Sequence, residues 1–201
     1  MFLTQLCLNR LNRNVMKTLT DVYRLHQTVM KGFTAYEDVE RVLFRVEPEV
    51  RSESVVVLVQ SAVAPDWRFA EENNGIAGAR VKEFSPSFRK GDLFRFRLRA
   101  NPTVTRNGKR YGLIRDDDLL DWLRQKEEKL GVRLTSATVI DEGYISGRKR
   151  SEKGNHRLDI KTARFEGVLK VVEPELVGEA FSTGIGPAKA FGCGLLSLAR
   201  T

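Results

Sequence analysis

The chain is poor in the side chains that most often bind metals or act as nucleophiles: two cysteines and two histidines in 201 residues. Cys7 and Cys193 alone build neither a disulfide framework nor a cysteine-based zinc site. Both sit among apolar residues, which predicts buried free thiols. No apolar run approaches the ~20 residues needed to span a bilayer. The opening segment MFLTQLCLNR alternates and lacks the apolar core of a signal peptide, so the expectation is a soluble, cytoplasmic protein with no membrane partner. Walker A loops, G-x-S-x-G elbows, metal-ligand spacings and paired His-x-Ser/Thr motifs are all missing, so no metal and no small-molecule cofactor is expected.

What is abundant is positive charge. Lys and Arg number 34 against 26 Asp and Glu, a formal net charge of +8. Such an excess favours polyanions, nucleic acid before acidic membrane. Hydrophobic residues make up 41% of the chain, enough for a core. The length allows one large domain or two of about 100 residues.

FLTQLCLN (2–9) alternates as a half-buried strand, and the basic NRLNRN after it reads as a loop. A helix follows from about Asp21 to Gly32, with Val22, Leu25, His26, Val29 and Phe33 at helical spacing. Strands are predicted over 41–46, 54–63 and 80–84. Residues 65–80 suggest one helical turn and a flexible loop. SPSFRKG (85–91) reads as a linker. In DLFRFRLRA (92–100) Phe94, Phe96 and Leu98 alternate with Arg95, Arg97 and Arg99. NPTVTRNGKRYG reads as a basic loop, and 115–131 as one amphipathic helix with Asp-rich first turn and Gly131 stop. Two strands joined by a basic hairpin, a helix over EPELVGEAFSTG and a last strand GLLSLAR complete the chain.

Each half therefore reads β-α-β-β-α-β. The predicted class is α+β, a tandem of ferredoxin-like (βαββαβ, RRM-like) domains. The first spans 1–84 and the second 92–201, joined by the 85–91 linker. The two halves share element order, not residues. RNP signatures are missing, so the fold by itself assigns no function.

His26 lies three residues after Tyr23, on one helix face. A helix N-terminus attracts phosphate, and an imidazole with pKa of about 6.5 exchanges protons near neutrality. With a tyrosine beside it, the pair suits attack of a ribose 2′-hydroxyl on the adjacent phosphorus. The pattern equally fits a packed core histidine, because Val22, Val29 and Phe33 share its stripe. Lys31 is a candidate phosphate clamp, although its spacing turns it off the His26 face. His156 belongs to an exposed hairpin tip. Asp116, Asp117, Asp118 and Asp121 read as helix-dipole partners, since consecutive helical carboxylates point apart. The hairpin GRKRSEKGNHR carries Arg148, Lys149, Arg150, Lys153 and Arg157, a candidate phosphate-contacting patch that Arg97, Arg99, Lys109 and Arg110 extend.

GIGPAKAFGCG (184–194) holds four glycines, which need tight turning or close approach of another backbone to justify their entropy cost. With the run after it, GIGPAKAFGCGLLSLAR closely resembles the C-terminal glycine-rich signature of CRISPR RNA-processing endoribonucleases. These are the CasE (Cse) family of the type I-E Cascade complex, in the repeat-associated (RAMP) superfamily. MFLTQLCLNR, YRLHQ, VVVLVQSA, FRFRLRANP and RFEGVL resemble the same family, in family order along nearly the whole chain. The resemblance implies binding of a CRISPR repeat stem-loop and metal-independent cleavage at its 3′ base. It implies a 5′-hydroxyl and a 2′,3′-cyclic or 3′-phosphate end, mature crRNA as product, and other Cascade subunits as partners. Tyr23 and His26 match the family's catalytic positions, which overrides the core-histidine reading, and Lys31 resembles a supporting lysine. Gly184, Gly186, Gly192 and Gly194 match the loop that approaches RNA, with Lys189 placed to contact phosphate. The basic hairpin resembles the element that grips the stem. The rival expectation is a non-catalytic RNA-binding subunit of a ribonucleoprotein.

Overall fold

A computed structural model describes residues 1–33, 41–48, 53–68, 75–151 and 154–201, with side chains at 149–156 outside that set. The chain forms two compact units. The first holds Met1–Ser85 together with Ile145–Asp159 and Ala190–Gly192, and the second holds Pro86–Tyr144, Ile160–Lys189 and Cys193–Thr201.

In the first unit β1 (Phe2–Asn9), β2 (Val42–Val46), β3 (Ser54–Ser61) and β4 (Ile76–Glu83) form an antiparallel sheet in the order β2-β3-β1-β4. Alternation along β1 turns Thr4, Leu6 and Leu8 inward, with Leu6 opposite Val57 and Ala79. The register is held because a one-residue slip would expose that face. Two helices precede β2: α1 (Arg13–Leu19) and α2 (Val22–Met30). α2 buries Val22, Leu25 and Val29 against the core, each contributing about 1.5–3 kcal/mol. A 3₁₀ turn, Lys31–Phe33, follows it. Gly32 is required there because a Cβ would fall 2.6 Å from the Trp67 ring, which also meets Phe33 edge-on at 5.8 Å.

α1 begins at the end of NRLNRN, whose residues 10–12 are loop as read, and runs over 15–19, where no element was read. Asn12 caps it through Asn14 N–H (2.8 Å), and its one buried side chain, Val15, leaves almost no apolar period to read. Trp67 sits in the segment that carried the weakest pattern, yet it is 4% exposed. The helix expected in 65–80 falls largely on 69–74, outside the described residues.

The second unit repeats the topology. β5 (Leu93–Ala100), β8 (Val132–Ser151), β9 (Gly154–Val171) and β10 (Leu196–Arg200) order as β10-β5-β9-β8. In both sheets the fourth strand flanks the first, and the third lies between first and second. That shared order is the tandem ferredoxin-like architecture. Phe94, Phe96 and Leu98 point inward from β5 as expected. The stretch read as a basic loop is a hairpin of β6 (Thr103–Arg106) and β7 (Lys109–Gly112). Asn107 and Gly108, at φ 50° and 74°, supply the two left-handed positions of a tight two-residue turn. The single helix expected over 115–131 is two, α3 (Asp116–Arg124) and α4 (Glu127–Leu130). Leu119, Trp122 and Leu123 anchor α3, whereas α4 buries nothing that would keep the two in one register. Asp116, Asp117 and Asp118 occupy the first turn of α3, where the dipole favours them. α5 (Pro174–Thr183) starts on its proline and precedes the glycine-rich stretch. Cys193 is fully buried, and burial pushes its thiol up to about 12, while Cys7 is only half-buried. Among the described residues no helix is long and apolar enough to cross a membrane.

Candidate nucleic-acid interface

α2 starts where Asp21, extended at φ −132° and ψ 105°, turns its carboxylate onto the helix. It accepts from the N–H groups of Tyr23 (3.0 Å) and Arg24 (3.3 Å). This cap corrects one expectation. The helix-terminal donors that would meet a phosphate at 23 and 24 are already taken, so an anion here would depend mainly on side chains.

Those side chains are present. A groove of about 810 Å³ in the first unit is lined by Lys17, Tyr23, Arg24, Gln27, Lys31 and Arg148, among others. Four cations line it against one carboxylate, Asp21, which lies 3.8 Å from the Arg24 guanidinium. Lys31 caps the C-terminal end of α2 and is exposed. It reaches the same groove as Tyr23 because residues 23, 27 and 31 lie at i, i+4 and i+8 along the helix.

His26 does not line this groove. Its half-buried ring faces Phe191 edge-on, with centroids 6.1 Å apart and planes at 64°. Burial holds the imidazole pKa below its ordinary 6.5, so the ring is neutral at neutral pH. Tyr23 borders the groove and, three residues before His26, shares that ring's side of the helix.

Phe191 belongs to the glycine-rich stretch, in the 3₁₀ turn Lys189–Phe191. The glycines have an internal reason. Gly184, Gly186, Gly192 and Gly194 all take left-handed φ, from 76° to 90°. A Cβ on Gly192 would fall 3.2 Å from Phe44, and one on Gly194 would fall 2.8 Å from the Ile185 carbonyl oxygen. Tight turning is therefore one reason for them within the chain, and Gly192 lets the chain bring Phe191 to His26 in the first unit.

The remaining residues separate by unit. Tyr23, His26, Lys31, Arg148, Arg157 and Gly192 belong to the first. Arg99, Lys109, Arg110, Gly184, Gly186, Lys189 and Gly194 belong to the second. Arg99 is engaged by Glu142 at 2.5 Å with its side chain only 15% exposed, and Arg97 pairs with Glu166 at 2.9 Å. Lys109 and Arg110 are exposed on β7. Gly184, Gly186 and Lys189 line a second groove of about 520 Å³ with Lys126 and Lys129. Arg157 is exposed and pairs with Asp159 at 2.9 Å. The side chains of Lys149, Arg150 and His156, and all of Lys153, lie outside the described residues. Lys17 and Arg24 escaped sequence reasoning. Lys17 lies in 15–20, over which no element was read, and Arg24 carried no signal beyond its place beside Tyr23.

Over residues 1–200 the chain matches the family described as CRISPR associated protein. It is 35% identical over 214 residues to the CRISPR-associated endoribonuclease Cse3 of Thermus thermophilus, covering 99% of this chain and 100% of that one. It is 35% identical over 195 residues to the CRISPR system Cascade subunit CasE of Escherichia coli, covering 89% and 92%. A solved structure of the CRISPR endoribonuclease Cse3 bound to 19-nucleotide RNA matches it at 35% identity and a TM-score of 0.87, with 100% of each chain covered.

Proposed function

This chain belongs to the CRISPR-associated CasE/Cse3 family, and from that premise we propose that it is an endoribonuclease that matures CRISPR RNA. It binds the repeat stem-loop, cuts at the 3′ base of the hairpin, and holds the mature crRNA within a Cascade assembly. Its substrate is a transcript, so the proposed place of action is the cytoplasm. The observation that carries the reading is the cation-walled groove bordered by Tyr23 on the helix that presents His26.

In the proposed reaction the 2′-oxygen attacks the adjacent phosphorus. The P–O2′ bond forms, the P–O5′ bond breaks, and the products are a 2′,3′-cyclic phosphate and a 5′-hydroxyl. A neutral His26 imidazole fits the base that takes the 2′-OH proton. Tyr23 orients that hydroxyl or supplies a proton to the leaving 5′-oxygen. Lys17, Arg24, Lys31 and Arg148 offset the charge that builds on the phosphoryl oxygens. None of these steps calls on a metal. The test is repeat RNA incubated with protein in excess EDTA, with both new ends analysed. We expect a cut carrying a 5′-hydroxyl and a cyclic or 3′-phosphate. Tight binding without any cut would instead identify a non-catalytic RNA-binding subunit.

Three further outcomes rest on this site. The rate tracks the neutral imidazole, so kcat/KM falls as pH drops through a midpoint below 6.5 and is flat above it. Phe191→Ala hydrates the ring, so its pKa rises towards 6.5 and the acid limb moves to higher pH. A pH series on the two proteins measures the displacement, and an acid limb that stays put refutes the role given to Phe191. Arg148→Glu weakens repeat-RNA binding and lowers the slope of log Kd against log salt by about one phosphate contact. Titrations at several salt concentrations read that slope.

A further inference from the structure

The strand that carries Arg148 runs directly onto the N-terminus of the helix that carries Tyr23 and His26. The contact is made at Gly147, which is buried in β8. A Cβ at that position would lie 2.9 Å from Asp21 Oδ1, 2.9 Å from Val22 Cγ2 and 3.0 Å from the Tyr23 nitrogen. Those atoms are the cap itself, because Asp21 Oδ1 accepts the Tyr23 N–H at 3.0 Å. Gly147 carries no left-handed φ, so closeness of approach, and not backbone strain, is what requires glycine. Its neighbour Arg148 then enters the groove that Tyr23 and Lys31 line.

We propose that Gly147, seated on the Asp21 cap, is a positioning residue that sets the register between the stem-gripping ribbon and the catalytic helix. The ribbon fixes where the stem lies, and α2 fixes where the reacting groups lie. Cleavage at one linkage needs both in a single frame, and this is the point where the described chain joins them. A methyl group at 147 forces the ribbon off the cap by several tenths of an ångström. Displacements of about 1 Å at a reacting centre cost up to about a hundredfold in rate. The ribbon's own charges move with it, so affinity falls much less than the rate.

The inference rests on the proposed endoribonuclease activity, and the test separates the two. Gly147→Ala, Asp21→Ala and the double variant are compared with wild type for single-turnover cleavage rate, for Kd on the repeat hairpin at fixed salt, and for the position of the cut. Gly178→Ala is the control, since its Cβ meets nothing within 4 Å. Expected for Gly147→Ala is a rate about 10 to 100 times lower, Kd within about threefold, and added cuts at neighbouring linkages. Expected for the double variant is a rate above the product of the two single losses, since deleting the carboxylate removes one of the three close contacts that the methyl meets. A Gly147→Ala rate within about twofold of wild type, a loss wholly explained by Kd, or losses that simply multiply overturns the inference. If Gly147→Ala does not fold, Asp21→Ala alone decides by the same split of rate from Kd. A wild-type protein that binds and never cuts overturns the activity, and this role with it.

Discussion

His26→Ala is expected to slow cleavage of repeat RNA by about 10²- to 10⁴-fold, the range over which a positioned acid or base contributes. Affinity for the stem-loop is expected to stay within about threefold, because His26 lies outside the cation-lined groove proposed to hold phosphate. The separation of the two effects is the informative part. A residue that only fills space beside Phe191 would lower the melting temperature and leave the rate of the folded protein alone. A residue that moves a proton does the reverse. His26→Gln, which keeps more of the volume and cannot act as base near neutrality, is expected to match the alanine variant. Adding Tyr23→Phe is expected to cost little more, since groups acting as a unit are not additive. Single-turnover rates and binding at one fixed salt concentration decide the matter. Undiminished cutting by His26→Ala would end the imidazole's role.

The second large effect lies in the substrate. A repeat RNA with a 2′-deoxy nucleotide just upstream of the scissile phosphate is expected to bind and remain whole. The attacking oxygen is gone, and no other nucleophile in the scheme replaces it. The affinity cost is small, since one hydroxyl hydrogen bond is worth about 0.5–1.5 kcal/mol. The same oligonucleotide then competes against unmodified repeat as an inhibitor with a similar Kd. Cleavage of the deoxy substrate would require attack by water, and the cyclic-phosphate chemistry would have to be abandoned.

Both halves of the fold were legible because their strands alternate and their helices repeat at 3.6 residues, as in β5 and α2. What escaped reading had weak or misleading local signals. α1 buries one residue, Val15, so its period is nearly silent. The Asn-Gly at 107–108 was a turn signal set in a run basic enough to pass for a loop. The break between α3 and α4 depends on what the second segment fails to bury, which no periodicity reports.

At the site, sequence resemblance singled out Tyr23, His26 and the glycine stretch. It matched the glycines to a loop that approaches RNA, and their left-handed φ values and the Phe191–His26 contact supply a further reason inside the chain. At positions 23 and 24 the free N–H groups anticipated at the start of α2 are instead held by Asp21.

Composition, charge and residue order by themselves determined the α+β class with its repeated strand plan, the preference for a polyanion and the helix that bears Tyr23 and His26. These are local or summed properties, set by side-chain period and by counts of charge. Tertiary structure alone decided that residues 190–192 and 145–159 join the first unit, bringing Phe191 to His26 and Arg148 to Tyr23. Contacts between residues more than a hundred positions apart depend on how strands pair and how closely backbones approach, as at Gly147. One-dimensional spacing carries no record of that.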